Sequence, residues 1–173
     1  MPNRISPNSV ALAGEFAALS RLALWGYDAN MTLGHTKSVD ILASDPRTNK
    51  FYQLEVKTNL DSRKKDKDTE SQLFGRIVSA WIMNRKHESI VRPNLWYCFV
   101  MIGLETKVAR FFLVPSKVVA EYVRAQHQLW LKEENKTRKD TLMRNFWIGR
   151  KGETYKIPTP TAEQYEDNWE FRE

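Results

Sequence analysis

Phe51-Tyr52-Gln53-Leu54-Glu55-Val56-Lys57-Thr58 alternates in character along its length. Side chains on a strand point to opposite faces in turn, so Phe51, Gln53, Glu55 and Lys57 share one face while Tyr52, Leu54 and Val56 share the other. A carboxylate and an ammonium therefore stand two residues apart on one face, backed by an apolar one. Such a pair can hold a metal ion with a water beside it. It can equally be an ion pair on an exposed edge strand, which contributes little. The segments around the stretch bear on that choice.

Upstream, Ser6-Pro7 is a helix start, with Ser as N-cap and Pro at the first helical position. Leu12, Phe16, Leu19, Leu22 and Ala23 recur at helical spacing up to Gly26, which suits a C-terminal cap. Glu15 interrupts that pattern on or beside the face to be buried, where a carboxylate is costly unless paired or bound to metal. Arg21, Lys57 and water are its ordinary alternatives. Tyr27–Leu33 reads as a short strand and 34–37 as a loop. In Ser38–Ala43, Val39, Ile41 and Ala43 face one way and Ser38, Asp40 and Leu42 the other, which places Asp40 within a strand that normally disfavours it. The turn Asp45-Pro46-Arg47-Thr48-Asn49 returns the chain as a hairpin, so Asp40 and Glu55 come to neighbouring strands facing the same way.

Downstream, 59–70 is polar and alternates in sign, either a solvated loop or an arm that orders on a phosphate backbone. Leu73, Phe74, Ile77, Val78, Trp81 and Ile82 predict a second helix with a broad apolar stripe. Strands follow at Leu95–Ile102 and Ala109–Val114, then a helix from Lys117 to Glu133 capped by Ser116. Phe146 and Trp147 are interleaved in the basic segment 136–150, which suits nucleic-acid contact or docking of the aromatics on the body. Thr161–Trp169 predicts a short helix covering one edge. His35, His87 and His127 have no metal-ligand spacing and read as packed or surface residues.

The chain has 173 residues, 42% hydrophobic and 28% charged, the balance of a globular protein of about one domain. We assign residues 1–133 to an α/β domain and 134–173 to an extension that packs on it or trails from it. The net charge is +6, but 151–173 carries three basic against six acidic residues, which leaves +9 on the body. A basic body attracts polyanions. Cys98, the only cysteine, lies in an apolar run and fits a buried thiol in a reducing compartment. No signal pattern or membrane-length apolar run is present, so a cytoplasmic protein with no membrane partner is expected.

The order is helix with Glu15, strand, strand with Asp40, turn, strand with Glu55-Val56-Lys57, helix, strand. In this order and these motifs, over residues 9–115, the chain resembles the PD-(D/E)XK nuclease superfamily, whose restriction-endonuclease-like fold includes Holliday junction resolvases and restriction and repair enzymes. Glu15 and Asp40 are 25 residues apart, and Asp40 and Glu55 are 15 apart. The resemblance implies a central mixed sheet of about five strands flanked by helices in αβββαβ order, followed by a C-terminal helix and acidic tail. It implies that Asp40, Glu55 and the Val56 carbonyl ligate Mg2+, with Mn2+ as substitute. Glu15 would bind through a metal-held water, and Lys57 would orient the attacking water and offset transition-state charge. Gln53 shares their face. Val39 stands where the family name has proline, and Arg76 stands where one branch has a tyrosine four residues after its glutamine, here Gln72.

The expectation is a Mg2+-dependent endonuclease hydrolysing phosphodiester bonds, in DNA, by metal-activated water, with a homodimer supported by analogy alone. The chemistry is self-consistent, because magnesium takes a few carboxylates plus waters and phosphate oxygens. Two alternatives stay open: a non-catalytic nucleic-acid-binding or interaction module with this fold, and an unrelated α/β domain in which Glu15 and Lys57 form a structural ion pair.

Overall fold

The computed structural model describes residues 5–32, 39–61, 68–133 and 137–173. Helix α1 (Pro7–Leu24) is followed by β1 (Asp28–Met31), β2 (Ile41–Asp45), β3 (Lys50–Asp61), β4 (Thr69–Ser71), β5 (Gly75–Asn84) and a 3-10 turn, Arg85–Glu88. Then come β6 (Leu95–Gly103), β7 (Ala109–Pro115), α2 (Ser116–Leu131), β8 (Met143–Gly149) and the one-turn α3 (Ala162–Tyr165). The expected α/β architecture with a five-stranded mixed sheet is present. Its order is β1-β2-β3-β6-β7, antiparallel throughout except for the parallel pair β3–β6. Among the described residues no helix is long and apolar enough to cross a membrane.

Three layers result. On one face of the central sheet, Leu54, Val56, Trp96, Cys98, Val100 and Leu113 pack with Ala18 and Leu22 of α1 and with Trp169 and Phe171 of the tail. On the other, Tyr97, Phe99, Met101 and Phe112 pack against Trp81 of β5, Phe146 of β8 and Tyr122 of α2. Residues Leu95–Ile102 of β6 are buried without a break, as expected of a strand covered on both sides. Burial pushes the Cys98 thiol pKa up, which suits an inert core residue.

The helix expected over Leu73–Ile82 is instead the β4–β5 hairpin, whose second strand pairs with β8 in a separate three-stranded sheet, β4-β5-β8. Gly75, at φ 72°, opens β5, and Ile77, Ser79, Trp81 and Met83 point inward in alternation while Ile82 is exposed. Gln72 and Arg76 therefore belong to a hairpin. The described residues of the crossover from β3 to its parallel neighbour β6 form strand and turn. Phe146 is fully buried in β8 and Trp147 half-buried, so the aromatics of the basic segment dock on the body.

Two smaller readings also change. The buried stripe of α1 is Gly14, Ala18 and Leu22, while Leu12 and Phe16 are exposed. Small residues at four-residue spacing let the helix approach β3 closely: a Cβ on Gly14 would overlap the Thr58 hydroxyl. Ser116 does not cap α2. Its hydroxyl accepts from the Arg92 N–H at 3.0 Å and donates to the Arg92 carbonyl at 2.8 Å, tying the loop before β6 to the helix start.

Candidate active site

β3 outlasts its neighbour. β2 pairs with it as far as Ile41 opposite Leu54, and one further bond runs from the Asp40 N–H to the Leu54 carbonyl at 2.7 Å. Asp40 thus sits at a bend just before β2, and not within the strand as expected. Its side chain replaces the missing strand partner: Oδ2 accepts the Val56 N–H at 2.7 Å. A residue's N–H and C=O point to the same side of a strand, so the Val56 carbonyl faces this open edge too. An aspartate at the end of a strand therefore satisfies a backbone donor and fixes its own carboxylate at once.

Glu55 and Lys57 are on one face of β3, as the alternation predicts. Lys57 Nζ lies 2.7 Å from Glu55 Oε1, with the lysine side chain 29% exposed and the glutamate 3%. The ion pair of Lys57 is thus with Glu55, not with Glu15. Burial alone would raise the Glu55 pKa, but the His87 hydrogen bond, then the charge and hydrogen bond of Lys57, bring it down to about 2. Glu15 stands beside the buried stripe of α1, half-buried. Burial and then the Asp40 charge raise its pKa, with Lys57 opposing. Burial raises that of Asp40, opposed by the Val56 hydrogen bond and Lys57 and reinforced by Glu55. The four predicted residues are therefore electrostatic neighbours at one edge, where burial disfavours the charged forms of Asp40 and Glu15. Gln53, one step back on the same face, accepts from Arg92 Nη1 at 3.2 Å.

No family model matches the chain, and no curated protein does. Among solved structures, the fold is similar to that of the bacterial homing endonuclease I-Ssp6803I. The likeness covers 96% of this chain and 91% of that one, with a TM-score of 0.51 and 13% identity. It is a likeness of fold.

The site fits a hard divalent cation in its donor set. Glu55 Oε2 is buried without a hydrogen-bond partner among the described residues, and the donors are carboxylate and carbonyl oxygens. Among the described residues no three acidic, histidine or cysteine side chains are gathered into a ready-made cage.

Sequence reasoning missed the 3-10 turn Arg85–Glu88. His87, assigned there to packing or surface, places Nε2 3.1 Å from Glu55 Oε1, and Lys86 is close enough for its charge to act on Asp40. No local signal marks them, because 32 residues of chain separate Glu55 from His87. His127 instead pairs at 2.9 Å with Asp140, which also pairs with Arg85 of this turn. His35, the loop 34–37 and residues 62–67 of the polar run 59–70 lie outside the described residues.

Proposed function

We propose that this chain is a Mg2+-dependent nuclease that hydrolyses phosphodiester bonds in DNA, with Mn2+ able to substitute. The observation that carries this reading is the open edge of β3, where Asp40 accepts the Val56 N–H, Glu55 and Lys57 share one face, and Glu15 lies within electrostatic reach of Asp40 and Lys57. The likeness in fold to a homing endonuclease supports it. Asp40, Glu55 and the Val56 carbonyl would hold the cation, with Glu15 behind a water. When bound, the ion lowers the pKa of a water and offsets charge building on the phosphate.

The chain's own residues supply the rest. The Val56 N–H keeps Asp40 in one orientation. Lys57, the most exposed member of its ion pair, can exchange Glu55 for a phosphate oxygen or the attacking water, where its charge steadies the transition state. The attack proposed is direct, by water, with no covalent intermediate on the chain. Cutting both strands of a duplex at once needs two sites, and a homodimer is part of the proposal by analogy alone.

A second reading, a nucleic-acid-binding module that does not cut, draws on the Lys57–Glu55 pair, which closes on itself. Labelled plasmid, linear duplex, single-stranded and four-way-junction DNAs, incubated with Mg2+ or Mn2+ and with EDTA, separate the two. Cleavage that requires metal and disappears in Lys57→Ala and Asp40→Ala is the expected result. Binding of these DNAs with no cleavage in any metal overturns it in favour of the second reading.

A further inference from the structure

Glu55 is the most buried carboxylate of the edge, and a phosphate would compete with it for the partly exposed Lys57. If Lys57 leaves, something else must keep the carboxylate in place. His87 is built for that. Its ring and the Glu55 side chain are 4% and 3% exposed, and Nε2 faces Oε1 at 3.1 Å. A carboxylate only accepts, so Nε2 must carry the hydrogen. At the other side of the ring, Nδ1 accepts the main-chain N–H of Asn84 at 3.0 Å. Nδ1 also lies 2.9 Å from the Asn84 carbonyl, and together these contacts hold the ring plane.

The turn that holds the ring is itself clamped. Asn84 Oδ1 accepts the Lys86 N–H at 3.1 Å, closing a reciprocal cap. Arg144, 2% exposed, ion-pairs with Glu88 and donates to the Thr141 carbonyl at 2.6 Å. Arg85 pairs with Asp140, and Arg124 donates to the Glu88 carbonyl at 2.5 Å. A side chain that must fix another needs this kind of support.

We propose that His87 is a positioning residue, whose Nε2–H holds Glu55 Oε1 so that Lys57 can turn to the substrate while the buried carboxylate keeps its orientation toward the cation. This rests on the catalytic reading above. The alternative is that His87 merely caps the turn through Nδ1, and two substitutions separate these roles. Asn at position 87 has an oxygen where Nδ1 was and keeps the cap, but falls short of Glu55. Gln has an N–H where Nε2 was and keeps the Glu55 contact, but loses the cap.

The measurement is Mn2+ binding to the full chain without substrate, from the free-ion paramagnetic resonance signal, for wild type, Asp40→Asn, His87→Asn and His87→Gln. The half-saturating Mg2+ concentration for cleavage is read in parallel. Wild-type binding that Asp40→Asn weakens establishes the cation site independently of His87. The expected result is then a 10- to 100-fold weaker Mn2+ affinity in His87→Asn, the size usual for loss of a group behind a metal ligand. His87→Gln should recover most of that loss, and the Mg2+ requirement should move the same way. Wild-type affinity in His87→Asn, or an equal loss in both variants, overturns the inference while leaving the site intact. If the wild type binds no Mn2+, the catalytic reading fails and the inference falls with it.

Discussion

Asp40 and Glu55 respond to pH in opposite senses, though both are carboxylates on one edge. Burial raises the pKa of Asp40, so the folded chain binds its proton more tightly than the unfolded chain does. That contribution favours folding at low pH and is lost as the pH rises through the folded pKa. At pH 8 the ionised Asp40 is therefore a cost that the proposed cation would relieve. Glu55 is the reverse: its pKa is held down to about 2, so its contribution is complete above an ordinary carboxylate pKa and lost as the pH falls toward 2. Urea unfolding tests both. In EDTA at pH 8, Asp40→Asn should be more stable than wild type, since the amide oxygen still accepts from Val56 while the charge is gone. It should also lose the stabilisation by Mg2+, about 2.7 kcal/mol for wild type at a hundred times Kd. Glu55→Gln should cost about 1.5–3 kcal/mol at pH 7, the worth of hydrogen bonds to a charged group, and flatten the fall in stability between pH 4.5 and 2.5. A wild-type protein that Mg2+ leaves unchanged contradicts the first part, and an unaltered acid limb in Glu55→Gln contradicts the second.

At the scale of elements, α1 reaches β3 through Gly14, and the Thr58 hydroxyl beneath it is buried with no hydrogen-bond partner among the described residues. The close approach sets the position of Glu15, one residue on. Gly14→Ala must push the helix off the strand, at a cost of about 1–3 kcal/mol typical of overpacking, offset in part by the better helix propensity of alanine. The expected signature is a lower urea midpoint together with weaker Mn2+ binding. A midpoint that falls with affinity unchanged would show that Glu15 contributes nothing to the cation site. The elements also show which parts of the fold could be read from the chain. The Phe51–Thr58 alternation, the Asp45–Asn49 turn and the apolar run of β6 are local patterns with one structural solution each. β5 was not, because Ile77, Val78, Trp81 and Ile82 satisfy a helical stripe and a half-buried strand alike, and only pairing with the distant β8 decides. Gly75 and the β-branched pair Ile77-Val78 were the signals pointing to a strand. At the site, Glu15, Asp40, Glu55 and Lys57 were legible because a charge on an apolar element stands out. His87 was not, since its role exists only once the turn folds against β3.

At the scale of the whole molecule, the acidic tail is a structural member of the α1 layer. Trp169 is 1% exposed, its carbonyl accepts from the Tyr27 hydroxyl at 2.7 Å, and Phe171 stacks on Tyr52 with ring centroids 4.0 Å apart. The route to this position runs along the edge strand β7, where Arg110 grips Glu166 through two bonds of 2.6 and 2.8 Å and the Asp167 N–H reaches the Phe111 carbonyl. The tail thus closes the edge of the sheet farthest from β1 and shares a hydrophobic cluster with Ala18 and Leu22 of α1. Trp169→Ala leaves the backbone bond to Tyr27 and empties a large buried volume, so the expected cost is about 3–5 kcal/mol. With each kcal/mol worth about 2–4 °C in a chain of this size, the melting temperature should drop by roughly 6–20 °C. Because the emptied space lies under the helix that carries Glu15, the loss should reach the other side of the cluster as weaker Mn2+ binding at temperatures where the variant is still folded. Substituting the exposed Arg172 or Glu173 should change neither quantity. Unaltered stability in Trp169→Ala would detach the tail from the α1 layer, whereas lower stability with full Mn2+ affinity would confine its influence to the core.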